Sequence, residues 1–71
     1  MSTQRFQVTG MTCAHCVGAV TDELSRLSGV NEVRIELVSG GVSVVTVDAS
    51  APLEAAVVRA AVDEAGYELV G

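Results

Sequence analysis

The chain has 71 residues, with nine acids, four arginines and no lysine, for a formal net charge of −5. That length suits one small domain spanning residues 1–71, and 49% apolar residues is too rich for a disordered chain. Phosphate and anionic-lipid binding need clustered positive charge, so neither nucleic acid nor a membrane surface is an expected partner, and no segment approaches the roughly 20 apolar residues of a membrane span.

Aromatic residues make up only 3%, so the core has to come from Val, Leu, Ile and Ala. At the start, QRFQV (4–8) alternates polar and apolar residues, which predicts a short half-buried strand with Phe6 and Val8 inward. From Ala14 to Ser28 the apolar spacing changes. Val17, Val20, Leu24 and Leu27 form one stripe of a helix, with Thr12 as its expected N-cap and Gly29 in the left-handed position after its last turn. NEVRIEL (31–37) returns to period two, with Val33, Ile35 and Leu37 on one face, and SGG (39–41) is a turn. VSVVTVD (42–48) closes a hairpin. Its phase is open between Val42, Val44, Thr46 and Ser43, Val45, Val47; the second set is expected inward, because it puts two valines in phase at Val45 and Val47. Pro52 is expected in the first turn of a second helix running to Ala65, with Ala55, Val58, Val62 and Ala65 as its stripe, Gly66 after its end and YELV (67–70) as a last strand. The order β-α-β-β-α-β predicts an α+β, ferredoxin-like fold: a four-stranded antiparallel sheet with two helices on one face.

Both cysteines, the only histidine and one of two methionines fall in GMTCAHC (10–16). Cys13 and Cys16 sit where the loop after the first strand meets the first helix, and residues three apart in a helical turn share a face, so the two sulfurs can converge. A helix N-terminus favours thiolate over thiol, and thiolates are soft ligands that select Cu(I), zinc or iron–sulfur. Closed zinc sites take four ligands and clusters usually four cysteines, whereas two thiolates suffice for Cu(I) and leave an open flank. A thioredoxin-like redox pair is the competing reading of C-x-x-C. Against it stand the short chain, the different strand order, the lack of tryptophan and a single proline placed at a helix rather than opposite the cysteines. Two merely buried cysteines are the third reading, disfavoured because the pair lies in a Gly-bounded loop off the apolar stripe.

GMTCAHC resembles the G-M-x-C-x-x-C signature of the heavy-metal-associated domain family, which includes bacterial copper chaperones, and AGYELV (65–70) is similar to the ending of its bacterial members. The resemblance covers Phe6 to Val70. It implies that Cys13 and Cys16 are the metal ligands and that Met11 packs on the core beneath the loop. It further implies that His15 stands exposed beside the site as a proton-sensing residue rather than a ligand, and that Tyr67 shields the site. Gly10 is expected to supply close backbone approach or positive φ. The hairpin VSGGVSVVTVD is a residue longer than the family's usual version, which puts strand register in question at a place expected to be far from the metal loop. The absence of lysine departs from members that dock through a basic face.

The function expected from this resemblance is that of a cytosolic Cu(I) chaperone, not an enzyme. It would pass copper by thiol exchange to the metal-binding domain of a copper-transporting P-type ATPase, with a copper-responsive repressor as another possible partner. The apo chain is expected to be a monomer, and four cysteines from two copies could share copper. Alternatives are an excised ATPase domain, which the initiator-like Met1 and the ending near Val70 disfavour, a zinc- or mercury-binding homologue, and a thiol–disulfide oxidoreductase. The N-terminus has no apolar run of signal-peptide type, consistent with a reducing cytosol.

Overall fold

A computed structural model describes residues 2–71. The strands are β1 (Ser2–Thr9), β2 (Val30–Glu36), β3 (Val42–Ala49) and β4 (Glu68–Leu69), and the helices are α1 (Ala14–Ser25) and α2 (Ala55–Glu64). The sheet order is β2-β3-β1-β4 with every pairing antiparallel. Each helical crossover skips a strand, which is the split βαβ arrangement expected from the element order. The helices pack on each other and on the sheet, and the core between the layers holds Phe6, Val8, Val45, Val47, Val20, Leu24, Val58 and Val62.

The phase expected for β3 holds: Ser43, Val45, Val47 and Ala49 are buried while the residues between them are not. Gly66 also sits where the pattern put it. It has φ +93 after the Ala65 C-cap, its N–H donates to Asp63 at 2.9 Å, and the Tyr67 N–H donates to Val62 at 3.1 Å. These two bonds satisfy carbonyls that the last helical turn would leave open.

Several boundaries differ from the expectation. Helix α1 stops at Ser25, not Ser28; the Leu27 N–H bonds to Leu24, three residues back, and the chain turns away there. Gly29 keeps its positive φ of +86 but belongs to the turn into β2, where its carbonyl accepts from Ser50 at 2.8 Å. Pro52 lies outside α2, whose N-cap is Glu54. The cause is Gln4 on β1: its Oε1 accepts the Leu53 N–H at 2.7 Å and its Nε2 donates to the Leu53 carbonyl at 3.2 Å. That carbonyl would belong to the first helical turn if the helix began at Pro52. Leu37 lies past the end of β2 and is exposed, Ala55 is exposed, and Ala61 takes a place in the core that the stripe did not include. Strand β4 is shorter than expected, although bonds from the Val70 N–H to Gln7 (2.8 Å) and from the Gln7 N–H to Gly71 (2.6 Å) prolong its contact with β1. The β2–β3 register does shift, between Val30 and Glu32, at the end away from the hairpin turn.

One tie across the sheet is pH-dependent. Asp48 accepts from the Thr3 hydroxyl at 2.7 Å and from Arg34 at 3.2 Å, which holds its carboxyl below the usual value of 3.8. A depressed carboxylate pKa stabilises the fold above the unfolded-state value and loses that contribution as pH falls through the folded-state value. Urea midpoints should therefore fall more steeply below about pH 4 in the native chain than in Asp48→Asn.

Candidate metal-binding loop

Strand β1 delivers the chain into a loop, Gly10 to Cys13, that runs straight into α1. Gly10 has φ +94, a conformation that β-carbon sterics disfavour, and a Cβ built there would lie 3.4 Å from Cδ1 of Tyr67. The backbone thus turns against the tyrosine ring, and the next side chain, Met11, goes inward with no exposed surface. Its thioether sits in the apolar cluster with Val8, Val20 and Leu69. A buried Met is an apolar anchor here, in keeping with its flexible shape.

The N-cap of α1 is Cys13, and no side chain caps the helix. The expected Thr12 cap is therefore corrected by one residue: the Thr12 hydroxyl turns instead to the sulfur of Cys16, at 3.9 Å. Cys16 itself is 8% exposed and lies in line with Val20 and Leu24, four residues apart each time. It stands on the buried stripe, at the position the sequence pattern gave to Val17, which is only half-buried. Cys13 is exposed. The two sulfurs are 3.7 Å apart and unbridged.

The environment strongly favours a thiolate at Cys16. Its pKa falls from 9.0 to about 6, driven first by the Thr12 backbone, then by the Tyr67 hydroxyl and the Cys13 backbone, against a smaller opposing effect of burial. Tyr67 responds in the opposite sense: its phenol is pushed up, first by its bond to Cys16, then by burial and by the charges of both cysteines.

Gly10, Met11, Thr12, Cys13, Cys16 and Tyr67 thus meet at one end of the sheet. His15 does not join them. It is exposed on the outer side of α1, beside Ala14, Gly18, Ala19 and Asp22. Among the described residues, no third His, Cys, Asp or Glu completes a cluster with the two cysteines. Two thiols at 3.7 Å, one open to solvent and one set in the core, can hold a soft cation and leave one side free for an incoming ligand.

The structure also corrects the expected remoteness of the hairpin. Its turn reaches the loop: the Ser39 hydroxyl donates to the Thr12 carbonyl at 3.1 Å and the Gly40 N–H donates to the Met11 carbonyl at 3.4 Å. Neither residue stood out in the sequence beyond the turn signal of SGG.

The family model for the heavy-metal-associated domain matches residues 5–68. The copper chaperone CopZ of Enterococcus hirae is 37% identical over 65 residues, covering 92% of this chain and 91% of that protein. Copper-transporting ATPase 2 of Rhizobium meliloti is 38% identical over 69 residues, covering 97% of this chain but 8% of the ATPase. The chain therefore spans nearly the whole of one relative and a small part of the other. A solved structure described as a CopZ metallochaperone superposes with a TM-score of 0.83 at 28% identity, over 97% of this chain and 100% of that one.

Two outcomes are expected of this loop. Met11→Ala should lower unfolding free energy by about 2–5 kcal/mol, whereas Met11→Leu, close in volume, should cost under about 1.5 kcal/mol, read by urea denaturation of the metal-free protein. For Cys16, the folded-state pKa near 6 lies below 9.0, so its contribution to apo stability is complete above pH 9 and is lost as pH falls towards 6. The stability difference between the native chain and Cys16→Ser, measured under reducing conditions, should grow across that window, and Tyr67→Phe should narrow it from the acidic side by removing a donor.

Proposed function

The chain belongs to the heavy-metal-associated domain family, and on that footing we propose that residues 1–71 act as one Cu(I)-carrying domain that hands its ion to a partner by thiol exchange. The observation that supports this most directly is the pair of unbridged sulfurs 3.7 Å apart, one exposed and one drawn to thiolate by fixed donors. Cys13 and Cys16 are the proposed ligands. Two thiolates suit Cu(I), which accepts low coordination, and suit less well a closed four-ligand zinc site.

Transfer follows from the asymmetry of the pair. A thiol of the partner enters on the exposed Cys13 side, a three-coordinate state forms, and the domain's sulfurs leave in turn. Each step exchanges one thiolate for another, and no substrate bond is made or broken, so the proposed role is that of a carrier and not of a catalyst. Met11 holds the loop to the core, and Tyr67 covers Cys16 and steadies its negative charge. His15 stays outside the coordination sphere. The copper chaperones and copper-transporting ATPase among the relatives support such an ATPase domain as the partner. Among the described residues, no helix is long and apolar enough to cross a membrane. The carrier reading places the chain in the cytosol, where both thiols stay reduced.

A second reading has its own support: the same site would serve as a metal-binding domain within a copper-transporting ATPase, the part of the Rhizobium meliloti protein that this chain matches. Reading the gene beyond Gly71 decides between the two, since a following series of apolar spans would establish the ATPase.

Competition of the reduced protein with a Cu(I) chelator tests the ligand assignment. Cys13→Ser and Cys16→Ser should each weaken retention by more than about 100-fold, beyond the 10- to 100-fold loss typical of outer-shell changes. Equal retention in either variant would remove that cysteine from the site, and comparable retention of Zn(II) against a matched chelator would remove the preference for copper.

A further inference from the structure

We propose that the tip of the β2–β3 hairpin is the positioning element of the thiol loop, with Ser39 gripping the loop and Ser43 holding the tip in place. The proposal extends the carrier reading given above and rests on it for the role of the loop.

Ser43 is where the chain of support begins. It is the one fully buried polar residue among the described residues, set in a strand whose other inward positions are Val45, Val47 and Ala49. A hydroxyl in an apolar core needs partners, and both of its partners are on Val38. Its Oγ accepts the Val38 N–H at 2.9 Å, and its O–H donates to the Val38 carbonyl at 3.4 Å. The same carbonyl accepts the Gly41 N–H at 3.0 Å, and a Cβ at Gly41 would come within 2.8 Å of Val38 Cγ1, so the tip is closed tightly on itself. A valine at position 43 would fill the core as well but could not hold Val38.

The closed tip then presents Ser39 and Gly40 to the thiol loop. Gly40 N–H binds the Met11 carbonyl, and the Ser39 hydroxyl binds the Thr12 carbonyl. Peptide units are planar and, here, trans, so fixing a carbonyl also fixes the N–H on the other side of the same unit. The carbonyl of Met11 shares its peptide with the Thr12 N–H, and that of Thr12 with the Cys13 N–H. The Thr12 hydroxyl lies 3.9 Å from the Cys16 sulfur, and the Cys13 carbonyl accepts the Cys16 N–H at 3.1 Å. The hairpin therefore grips the two peptides that lead into Cys13 and the first turn of α1. It also sets the backbone from which the exposed Cys13 projects, since helix α1 begins there without a side-chain cap.

Ser39 is exposed, so its replacement leaves the core untouched. The test compares Ser39→Ala and Ser39→Thr with the native chain in two assays: amide hydrogen exchange of the reduced, metal-free protein, and retention of Cu(I) against a chelator. Ser39→Ala should speed exchange at Gly40, and at Cys16 and Val17, whose N–H groups bond to Cys13, by about 2- to 10-fold, the size of one lost hydrogen bond. Exchange at the core residue Val47 and the urea midpoint should shift by no more than the worth of that one bond. Cu(I) retention should weaken by a similar factor, and Ser39→Thr, which keeps the hydroxyl, should restore both. Ser43→Ala should release Gly40 as well, beyond any change at Val47. Loop exchange that is unchanged in Ser39→Ala overturns the proposal, as does unaltered Cu(I) retention. A native chain that holds no Cu(I) fails the carrier reading instead, and the exchange data alone then decide whether the hairpin positions the loop.

Discussion

Burial of the Met11 side chain between β1 and α1 is the contact on which the metal loop depends. A loop that carries two reactive sulfurs at the surface has little apolar area of its own with which to hold a shape. Met11 supplies it by sinking fully into the core, and Gly10 allows the backbone to turn sharply enough for that to happen against the Tyr67 ring. Once the methionine is seated, the following three residues have little freedom. Thr12 is exposed with its hydroxyl turned to Cys16, Cys13 opens the helix, and Cys16, one turn later, points back to the same apolar layer.

The two cysteines consequently live in different surroundings although they are three residues apart. Cys16 shares the core stripe with Val20 and Leu24, and there its charge is balanced by donors from Thr12, Tyr67 and Cys13. Cys13 stands in solvent at the helix start. Burial alone would protonate Cys16; the donors outweigh it, which shows how much of the loop's design serves one sulfur. The fold brings those donors from two directions, since Thr12 and Cys13 lie in the loop after β1 and Tyr67 precedes β4.

Local pattern carried much of this architecture. Period-two alternation placed β1 and β3 with the correct faces inward, and Gly66 marked the end of α2 because a residue with positive φ is a local requirement. What escaped the sequence was set by contacts between distant positions. Pro52 looks like a helix start until Gln4, 49 residues before Leu53, claims both backbone groups of that leucine. SGG looks like a bare turn, yet Ser39 reaches Thr12 across 27 residues. Cys16 was placed off the apolar stripe because the stripe was drawn through Val17. A thiol counts as apolar or reactive depending on what it faces, and periodicity cannot tell which. Thr12 was one residue from the true cap, and its hydroxyl was drawn to a sulfur instead of to an orphan N–H.

Ser43 shows that stability and geometry make opposite demands at one position of β3. Strand propensity and core packing both favour a β-branched hydrocarbon there. The serine gives up packing for two hydrogen bonds to Val38, which answer to the hairpin tip and not to the core. Attempts to raise the thermal resistance of this small domain by enriching its interior would therefore erode the loop first while the fold as a whole became firmer. An assay of folding alone would score such a change as an improvement.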